Sequence, residues 1–474
     1  MKYFLMLIQL WVGFLPICAS YPKANIWIIP SVESPQVYRN YAQTSKVHLE
    51  MARGEVEHIQ LVFPSKVNEE YRFTFDRNLK GIQISARELK KMNGYYDALV
   101  PFKNQLKCTD TLTAVWITVQ CPSRVPVGKY HQTIKIEGSK HFTIQLDYNV
   151  HHTTIPLKSS IPITVGVENR CVAEGLNDKE ADKERQRWVD FVLSYRMTPV
   201  FGTQITPERW QYEHSFSPWA WNDKRSIRLL NDRRYSCYML PFFTLSENEL
   251  ASLLCNIQKK GKLKESLFYI WDEPAYMEDY EQIKQKVNII RKYASDARIL
   301  TTFFCGPRNG PRKGDLYAVF DYLKHHIHVA TISLAPCKGN EEEVQHIRYK
   351  VPEGIDWWSY VCWQPGGNEP NFLLQMKGIQ QRAIMWRTWK NGSQGFLYWN
   401  CNIYHKRNPF TYITDMPHGD GILIYPGDIL GRKGPIASAR LERWRDGAEE
   451  MELLRLVEKN YSKEKARYLI KHSL

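Results

Sequence analysis

The sequence predicts a multidomain protein of the β plus α/β class: an N-terminal β-sandwich, then a (β/α)8 barrel of the TIM type, then a C-terminal helix. Strand-like segments of alternating polarity fill the chain up to about residue 155. After that point, short apolar strands alternate with amphipathic helical segments. The pair Ile155-Pro156 marks the change, so we expect a sandwich domain over 21–155 and a barrel domain over 156–474 that includes the C-terminal helix.

The first twenty residues, 1–20, have the features of a cleavable secretory signal peptide. The cation Lys2 precedes the apolar run Tyr3–Leu15, and small residues follow at Ala19 and Ser20. The sequence therefore predicts a secreted or periplasmic protein.

Two further observations bear on membrane attachment. Cys18 follows Leu15, Pro16 and Ile17, which lack the small side chains of a lipoprotein cleavage site, so we do not expect a lipid anchor. No later stretch approaches 18 uninterrupted apolar residues, so we expect no integral membrane segment after cleavage.

The sandwich is predicted from segments that alternate apolar and polar residues and are separated by Gly, Pro, Asn and Asp. Few carboxylates fall at obvious strand ends, so we assign this domain to support or to a binding surface. The predicted strands are Ala24–Ile29, Val56–Phe63, Ala114–Gln120, Gln132–Glu137 and His141–Val150.

The barrel is predicted from eight strands with helices between them. One strand is short, so a distorted or seven-stranded barrel stays open, and we expect the helical segment Ile436–Val457 to pack against the barrel. The strands are Ile161–Val167, Pro199–Phe201, Met239–Phe243, Leu267–Trp271, Ile299–Phe304, His328–Ser333, Asp356–Val361 and Gly395–Asn400. The helices include Asp178–Tyr195, Ser246–Lys259, Tyr276–Tyr293, Leu316–His325 and Leu374–Trp389.

Composition excludes several classes of function. The net charge of +14 is spread along the chain, and we find no basic helix, zinc spacing or Gly-rich phosphate loop, so we expect no nucleic-acid partner. The nine cysteines that follow the signal are scattered singly, which predicts no metal site, and we expect no cofactor. Cys108 and Cys121 could close a hairpin by a disulfide, although sequence alone does not settle the pairing.

Two adjacent acids follow the fourth barrel strand. The apolar strand Leu267–Trp271 runs directly into Asp272 and Glu273. Reacting groups of barrel enzymes come from the carboxyl ends of the strands, which predicts that both carboxylates lie at the catalytic rim. Cleavage of a glycosidic bond needs a proton donor and a group that stabilises the oxocarbenium-like centre. We therefore predict Glu273 as the donor, with its pKa raised by aromatic surroundings and by Asp272.

Adjacency favours one kind of mechanism. Retaining and inverting enzymes with two carboxylates place them roughly 5 to 9.5 Å apart across the sugar. Neighbouring residues fit substrate assistance better: the 2-acetamido oxygen of the sugar attacks its own anomeric carbon, Asp272 orients that group and Glu273 protonates the leaving oxygen. The alternative is structural, because Asp272-Glu273-Pro274 also has the residue types that begin a helix.

Several motifs resemble the catalytic domain of glycoside hydrolase family 123, also described as domain of unknown function 4091. The likeness covers about 155 to 455, and the segments Ala52–Glu55 and Gln60–Val62 resemble the sandwich domain that precedes it. The resemblance implies a β-N-acetylgalactosaminidase that retains configuration through an oxazoline intermediate, with an acid pair matching Asp272 and Glu273. The family often has Phe where this chain has Trp271. The motifs are Trp271–Pro274, Gly395–Asn400, Gly419–Gly421, Ile424–Gly427, Arg440–Glu442 and Arg445–Gly447.

Aromatic and amide side chains follow the last two barrel strands and are candidates for substrate binding. Trp399 and Trp363 are predicted to stack on a sugar ring, as π surfaces do in carbohydrate sites. Tyr360, Asn400 and Asn371 are predicted to bind hydroxyl or acetamido groups. Alternate strand residues point away from the barrel axis, so each has core packing as its alternative. Tyr398 and Trp271 complete the predicted set of substrate-binding residues.

Other charged residues receive secondary roles. Asp356 begins its strand, at the wrong end of the barrel, whereas Glu369 lies in the following loop and is a reserve nucleophile. We expect Arg382 and Arg387 to form salt bridges on the next helix. Asp420 and the group Glu442, Arg445 and Asp446 are expected to be structural.

Three hypotheses follow. The leading one is an exported β-N-acetylhexosaminidase acting on a glycan or glycoconjugate. The second is a catalytically silent carbohydrate-binding or scaffold protein on the same fold, since fold and activity often separate. The third is a glycosidase that uses Glu273 and Glu369 as two separated carboxylates on a sugar without the acetamido group.

Overall fold

A computed structural model describes residues 26–76, 81–206, 211–335, 341–404, 409 and 419–471. The predicted signal peptide, with Cys18, lies outside the described residues, and so does Cys337. The described residues divide into two compact units, which are described separately below.

The first unit contains two five-stranded sheets, with strand orders β1-β3-β8-β5-β6 and β2-β10-β9-β4-β7. Their inward residues, such as Leu61, Val115, Ile134 and Leu146, form one core, as alternating strands predict for a sandwich. All five predicted strands are present. The strands are β1 Trp27–Pro30, β2 Lys46–Arg53, β3 Val56–Pro64, β4 Glu70–Phe75, β5 Gln83–Met92, β6 Tyr95–Pro101, β7 Gln105–Lys107, β8 Leu112–Gln120, β9 Gly128–Glu137 and β10 His141–Thr154.

The second unit alternates strands and helices. Its strands are β11 Ile163–Glu168, β12 Thr198–Thr206, β13 Gln211–Ser215, β14 Tyr238–Met239, β15 Ser266–Trp271, β16 Arg298–Phe303, β17 Val329–Ser333, β18 Asp356–Val361, β19 Phe396–Tyr398, β20 Ile424–Pro426 and β21 Pro435–Ala437, the last reaching into the first unit. The helices are α1 Asn169–Ala173, α2 Asp178–Ser194, α3 Lys224–Leu229, α4 Glu247–Lys259, α5 Met277–Arg291, α6 Ala318–Leu323, α7 Glu341–Lys350 and α8 Gly378–Lys390. Helix α8 begins in the first unit and ends in the second.

Strands β11 to β19 form one nine-stranded sheet, ordered β13-β12-β11-β19-β18-β17-β16-β15-β14. A parallel strand of this sheet corresponds to each of the eight predicted barrel strands, although the predicted Met239–Phe243 is observed as Tyr238–Met239 and shares one residue with it. The ninth, β13, was not predicted and pairs antiparallel with β12. The backbone N–H of Phe216, just after β13, donates to the carbonyl of Met239 in β14, so the sheet is a nearly closed barrel. Inward residues such as Leu267, Leu300 and Val329 fill its centre.

The C-terminal helices α9 Ala439–Asn460 and α10 Lys463–Lys471 belong to the first unit. This assignment differs from the predicted boundary, which placed 156–474 together. The predicted structural role of the charged group on α9 agrees with its contacts, because Glu442 pairs with Arg445 and Arg87 in the interior. The salt bridge expected for Arg382 is also present, to Asp446 and Glu450.

In the described part of the chain, no helix is long and apolar enough to cross a membrane. The described cysteines are all free, so Cys108 and Cys121, both buried, are not joined. The proposed hairpin disulfide is therefore wrong for this structure.

Candidate active site

The acid pair follows a β-bulge at the end of β15. Tyr269 pairs with Leu300 and Trp271 with Thr301, so one residue of β15 is extra at this point. Such a bulge changes the direction in which the following side chains point. The ring of Trp271 lies 5.8 Å from the ammonium of Lys286 on α5, whereas Asp272 lines a pocket at the carboxyl end of the strands. The structure therefore separates Trp271 from the pocket.

Two hydroxyl groups hold the carboxylate of Asp272. The phenol of Tyr269 donates to Oδ1 of Asp272 at 2.6 Å, and the hydroxyl of Thr302 on β16 donates to the same oxygen at 2.7 Å. Asp272 is open to solvent through the pocket, yet the protein surrounds its carboxyl, and this burial raises its pKa. The two donors act in the opposite direction because they stabilise the ionised form.

Thr302 also connects Asp272 to Glu273. The backbone N–H of Glu273 donates to Oγ1 of Thr302 at 3.0 Å. Glu273 has φ of +45°, a left-handed conformation that is uncommon for a residue with a side chain and that occurs preferentially at functional sites. One hydroxyl thus fixes both the side chain of the first acid and the backbone of the second.

The side chain of Glu273 contacts Tyr360 of β18, a strand that β16 and β17 separate from β15 in the sheet. The hydroxyl of Tyr360 donates to Oε1 of Glu273. Burial, the largest cause, and the charge of Asp272 together raise the pKa of Glu273 to about 7, although Tyr360 and the more distant Arg308 act to lower it. A carboxyl with this pKa holds a proton near neutrality and can release it, as a general acid must.

The pocket beside Asp272 is lined by residues of β11, β12, β13, β15 and β19. His214 of β13 lies in its wall, stacked on the ring of Tyr269 with centroids 4.2 Å apart. The lining residues are Thr164, Gly166, Val167, Val200, Gly202, Tyr212, His214, Tyr269, Asp272, Leu397, Tyr398, Trp399 and Asn400.

Three predicted substrate-binding residues, Tyr398, Trp399 and Asn400, line this pocket together. Oδ1 of Asp420 accepts from the hydroxyl of Tyr398 and from the indole N–H of Trp399, each at 3.0 Å. Asp420, predicted to be structural, thus orients two aromatic rings of the pocket. Gly166 is needed opposite, because a Cβ there would lie 1.8 Å from the carbonyl oxygen of Trp399.

Of the other predicted substrate-binding residues, one contacts the acid pair and two do not line the pocket. Tyr360 reaches the acid pair through Glu273, as described above. Trp363 follows β18 and is 46% exposed, without a place in the pocket lining. Asn371 is fully buried: its amide N–H2 donates to the carbonyls of Cys362 and Pro365, and its oxygen accepts from the N–H of Phe372. These bonds hold the loop after β18, so the structure does not support a substrate contact for Asn371.

The reserve nucleophile Glu369 is occupied elsewhere. Its carboxylate accepts from the guanidinium of Arg387, which is the salt bridge expected for that arginine. A carboxylate held by an arginine is less available as a nucleophile. Glu369 does not line the pocket that contains Asp272.

Sequence reasoning missed Tyr269, Thr302 and His214. Tyr269 and Thr302 lie inside strands that were predicted, on the inward side with Leu267 and Leu300, so their polar groups were a usable signal. His214 lies on β13, whose five residues Gln211–Ser215 show no apolar run. Nothing in that segment alone indicates a barrel strand.

Comparisons with known proteins agree with this geometry. Residues 183–457 match the family model described as glycoside hydrolase 123, catalytic domain. A family 123 glycoside hydrolase from Clostridium perfringens has a similar fold, with a TM-score of 0.65 and 14% identity over 93% of this chain and 90% of that chain.

Other solved structures resemble the chain far less. An FMN-binding beta-glucuronidase from Facaelibacterium prausnitzii L2-6 gives a TM-score of 0.31 and 10% identity over 79% of this chain and 55% of that chain. A GH2 beta-galacturonidase from Eisenbergiella tayi gives 0.37 and 8% over 84% and 90%. These scores are too low to inform the fold or function of this chain. A search of curated proteins found no match.

The family match covers more than half of the chain and contains the bulged strand, the acid pair and most of the pocket lining. The chain therefore belongs to glycoside hydrolase family 123.

Proposed function

We propose that the protein is an exported β-N-acetylhexosaminidase, of the β-N-acetylgalactosaminidase type, that retains configuration by substrate-assisted catalysis. The observation that carries the proposal is the arrangement of Asp272 and Glu273. They are adjacent, they share the hydroxyl of Thr302, and the one reserve carboxylate considered, Glu369, is paired with Arg387. The barrel is best understood as a (β/α)8 barrel with the extra strand β13.

The proposed first step uses Glu273 as an acid. Its proton passes to the glycosidic oxygen while the bond from that oxygen to the anomeric carbon breaks. The carbonyl oxygen of the 2-acetamido group forms the new bond to the anomeric carbon, and an oxazoline results. Asp272 accepts a hydrogen bond from the acetamido N–H and stabilises the positive charge that develops on the group; the ring keeps that proton as an oxazolinium ion, or becomes the neutral oxazoline when the proton passes to Asp272.

The second step reverses these roles. Glu273, now a carboxylate, takes a proton from water as the water oxygen attacks the anomeric carbon, and the oxazoline reopens to the acetamido group. Two displacements on the same carbon leave its configuration unchanged. A pKa of about 7 suits both roles, because the group must donate and accept one proton near neutral pH.

The two hydroxyl donors support different charges on the two acids. Tyr269 and Thr302 both donate to Asp272, whereas Glu273 receives one donor, Tyr360. Hydrogen bonds to a carboxylate stabilise its ionised form. Asp272, with two donors, is therefore the ionised acid of the pair, and Glu273, with one, is the acid that carries a proton. This distribution is the one that the mechanism needs.

The pocket supports a pyranose next to Asp272. Trp399 presents aromatic surface that Asp420 holds in place, the buried Tyr398 supports it through the same carboxylate, and Asn400 adds an amide. The Clostridium perfringens relative was studied for glycolipid glycan hydrolysis. We therefore propose a glycoconjugate glycan, with glycolipids as the first class to test, and delivery to it through the signal peptide in 1–20.

The experiment is a substrate panel for the purified mature protein. Aryl β-N-acetylgalactosaminide, aryl β-N-acetylglucosaminide and aryl β-galactoside are compared, with an Asp272→Asn variant and with Glu369→Gln as the matched control. We expect release from an acetamido sugar only, inhibition by a thiazoline that mimics the oxazoline, a large loss in Asp272→Asn and none in Glu369→Gln. Cleavage of the β-galactoside with loss in Glu369→Gln would instead establish two separated carboxylates, and binding without turnover would establish a silent carbohydrate-binding protein.

A further inference from the structure

The extra strand β13 carries His214 to the pocket. It pairs with β12 on one side and is hydrogen-bonded to β14 and the residues after it on the other. The carboxylate of Glu213 accepts from the backbone N–H groups of Phe242 and Thr244, at 2.8 and 2.7 Å, and from the hydroxyl of Thr244. The backbone N–H of Phe216 donates to Met239 at 2.7 Å. The strand therefore holds His214 at a defined place in the barrel.

The ring of His214 lies almost parallel to the ring of Tyr269. Their centroids are 4.2 Å apart and their planes differ by 20°. The hydroxyl of that same Tyr269 donates to Asp272 at 2.6 Å and lies 3.0 Å from the hydroxyl of Thr302. The stacked imidazole occupies the space on one face of the phenol ring, so Tyr269 can swing its hydroxyl towards that face, by rotation about its Cα–Cβ bond, only if the imidazole moves.

The contribution of His214 is its flat ring rather than a charge. Burial lowers the pKa of its imidazole to about 4, so the ring is neutral at the pH of the proposed reaction. Its Nδ1 makes no hydrogen bond with the described residues, whereas hydrogen bonds between the ring and the backbone of Tyr212 and Tyr269 act against the lowering of its pKa. A phenylalanine ring keeps the stacked surface but cannot make the hydrogen bonds to the backbone, so His214→Phe separates the contribution of the ring surface from that of those bonds.

We infer that His214 is a positioning residue: its ring holds the phenol of Tyr269 in the orientation from which the hydroxyl donates to Asp272. The inference rests on the proposed function, because it assigns importance to Asp272. Without the stacked ring, Tyr269 samples other orientations and Asp272 loses a donor. Its pKa then rises further, and less of it is ionised when the acetamido group must be oriented.

The test is a double-mutant cycle on the aryl glycoside that the wild type cleaves best. Tyr269→Phe should lower kcat/KM roughly 10- to 100-fold, since a hydrogen bond to a charged group is lost. We expect His214→Ala to lower kcat/KM about 10-fold in the wild type and less than about 2-fold in the Tyr269→Phe background, because residues that act through one another are not additive. His214→Phe, which keeps the stacked ring, should retain clearly more activity than His214→Ala.

The pH profile gives a second readout. Both His214→Ala and Tyr269→Phe should move the acidic limb of kcat/KM to higher pH, whereas a general loss of packing would lower the whole curve without moving the limb. Should His214→Ala not fold, as judged by its thermal unfolding midpoint, His214→Leu fills the volume without a ring and takes its place.

The outcomes separate this inference from the proposed function. Equal effects of His214→Ala in both backgrounds, or equal damage from His214→Phe, would overturn the role of the ring while leaving Asp272 catalytic. Full activity of Asp272→Asn would overturn the proposed function itself. A wild type that is inactive on every glycoside of the panel would overturn both.

Discussion

Both units of the molecule contain carboxylates with raised or lowered pKa values, and these carboxylates differ in the groups that contact them. In the first unit Glu442 of α9 pairs with Arg87 and Arg445 and lies 3.2 Å from Nε2 of His58. In the second unit, the hydrogen bonds that described side chains donate to the carboxyls of Asp272 and Glu273 come from the hydroxyl groups of Tyr269, Thr302 and Tyr360. In the first unit, positively charged arginines neutralise the carboxylate. In the second unit no arginine pairs with the acids in the described residues, so a carboxyl there becomes neutral by binding a proton.

The difference appears in the pKa values. Burial alone raises the pKa of Glu442, yet Arg445, Arg87 and His58 hold it well below its usual value. Burial raises the pKa of Glu273 to about 7, and hydroxyl donors do not reverse it. Glu55, also in the first unit, shows that the contacting groups and not the unit determine the direction of the pKa shift. Its carboxylate accepts a hydrogen bond from the backbone N–H of Ala52, and burial raises its pKa well above the usual value. A raised pKa therefore indicates chemistry only where a pocket is present, as at Asp272.

The largest expected effect is loss of activity in Glu273→Gln. The amide keeps the shape of the side chain but cannot donate the acid proton, and general acid catalysis contributes roughly 10²- to 10⁴-fold. We expect kcat/KM on the best aryl glycoside to fall by about that factor while the thermal midpoint stays within a few degrees. Activity within a few-fold of wild type would remove Glu273 from the reaction.

The matched change in the first unit is Glu442→Gln, which should lower stability and leave the activity of the folded protein unchanged. It leaves Arg87 and Arg445 enclosed without their carboxylate, and breaking a buried pair costs about 3 to 5 kcal/mol. We expect urea denaturation to show a loss of that size, with the kcat of the folded fraction unchanged. A stable Glu442→Gln protein would mean that His58 and the remaining charges reorganise around the gap.

Much of the fold follows from local sequence patterns. The eight parallel strands each have an apolar stretch long enough to predict a buried strand, and the helices between them have the matching 3.6-residue period. Strand β13 was not predicted because Gln211–Ser215 is mostly polar. Pairing with β12 and the contacts of Glu213 hold it in the sheet. Long-range contacts of this kind leave no local pattern.

Part of the site could likewise be predicted from the sequence. The positions of Asp272 and Glu273 follow from their place after an apolar strand, and Tyr398, Trp399 and Asn400 follow from the same rule at β19. The position of Trp271 does not, because it depends on the bulge in β15, which two-residue alternation does not predict. Asn371 was ambiguous by type, since an amide serves a loop backbone as well as a sugar.

A smaller effect is expected at Thr302, whose hydroxyl joins the two acids. Thr302→Val keeps the shape, removes a donor to Asp272 and leaves the N–H of Glu273 without its acceptor. Loss of a hydrogen bond to a charged group costs about 1.5 to 3 kcal/mol, so we expect kcat/KM to fall roughly 10- to 100-fold. Thr302→Ser restores the hydroxyl and should recover most of the activity; equal loss in both variants would point to the methyl group instead.

The smallest expected effect is on stability as a function of pH, and it follows from the raised pKa of Glu273. The folded protein binds this proton more tightly than the unfolded chain, whose value is near 4.5. The contribution to stability is therefore present below pH 4.5 and is lost as the pH rises through about 7. Glu273→Gln does not titrate, so its free energy of unfolding relative to wild type should increase between those two pH values.

Denaturant titrations of both proteins at pH 4.5 and pH 8 measure the difference. The same proton sets the activity, since kcat/KM should decline above about pH 7 as the acid ionises. A decline in activity without the change in relative stability would mean that the basic limb belongs to another group. Glu442→Gln provides the opposite sign: its parent carboxylate has a lowered pKa, so the stability it contributes is present at neutral pH and is lost as the pH falls.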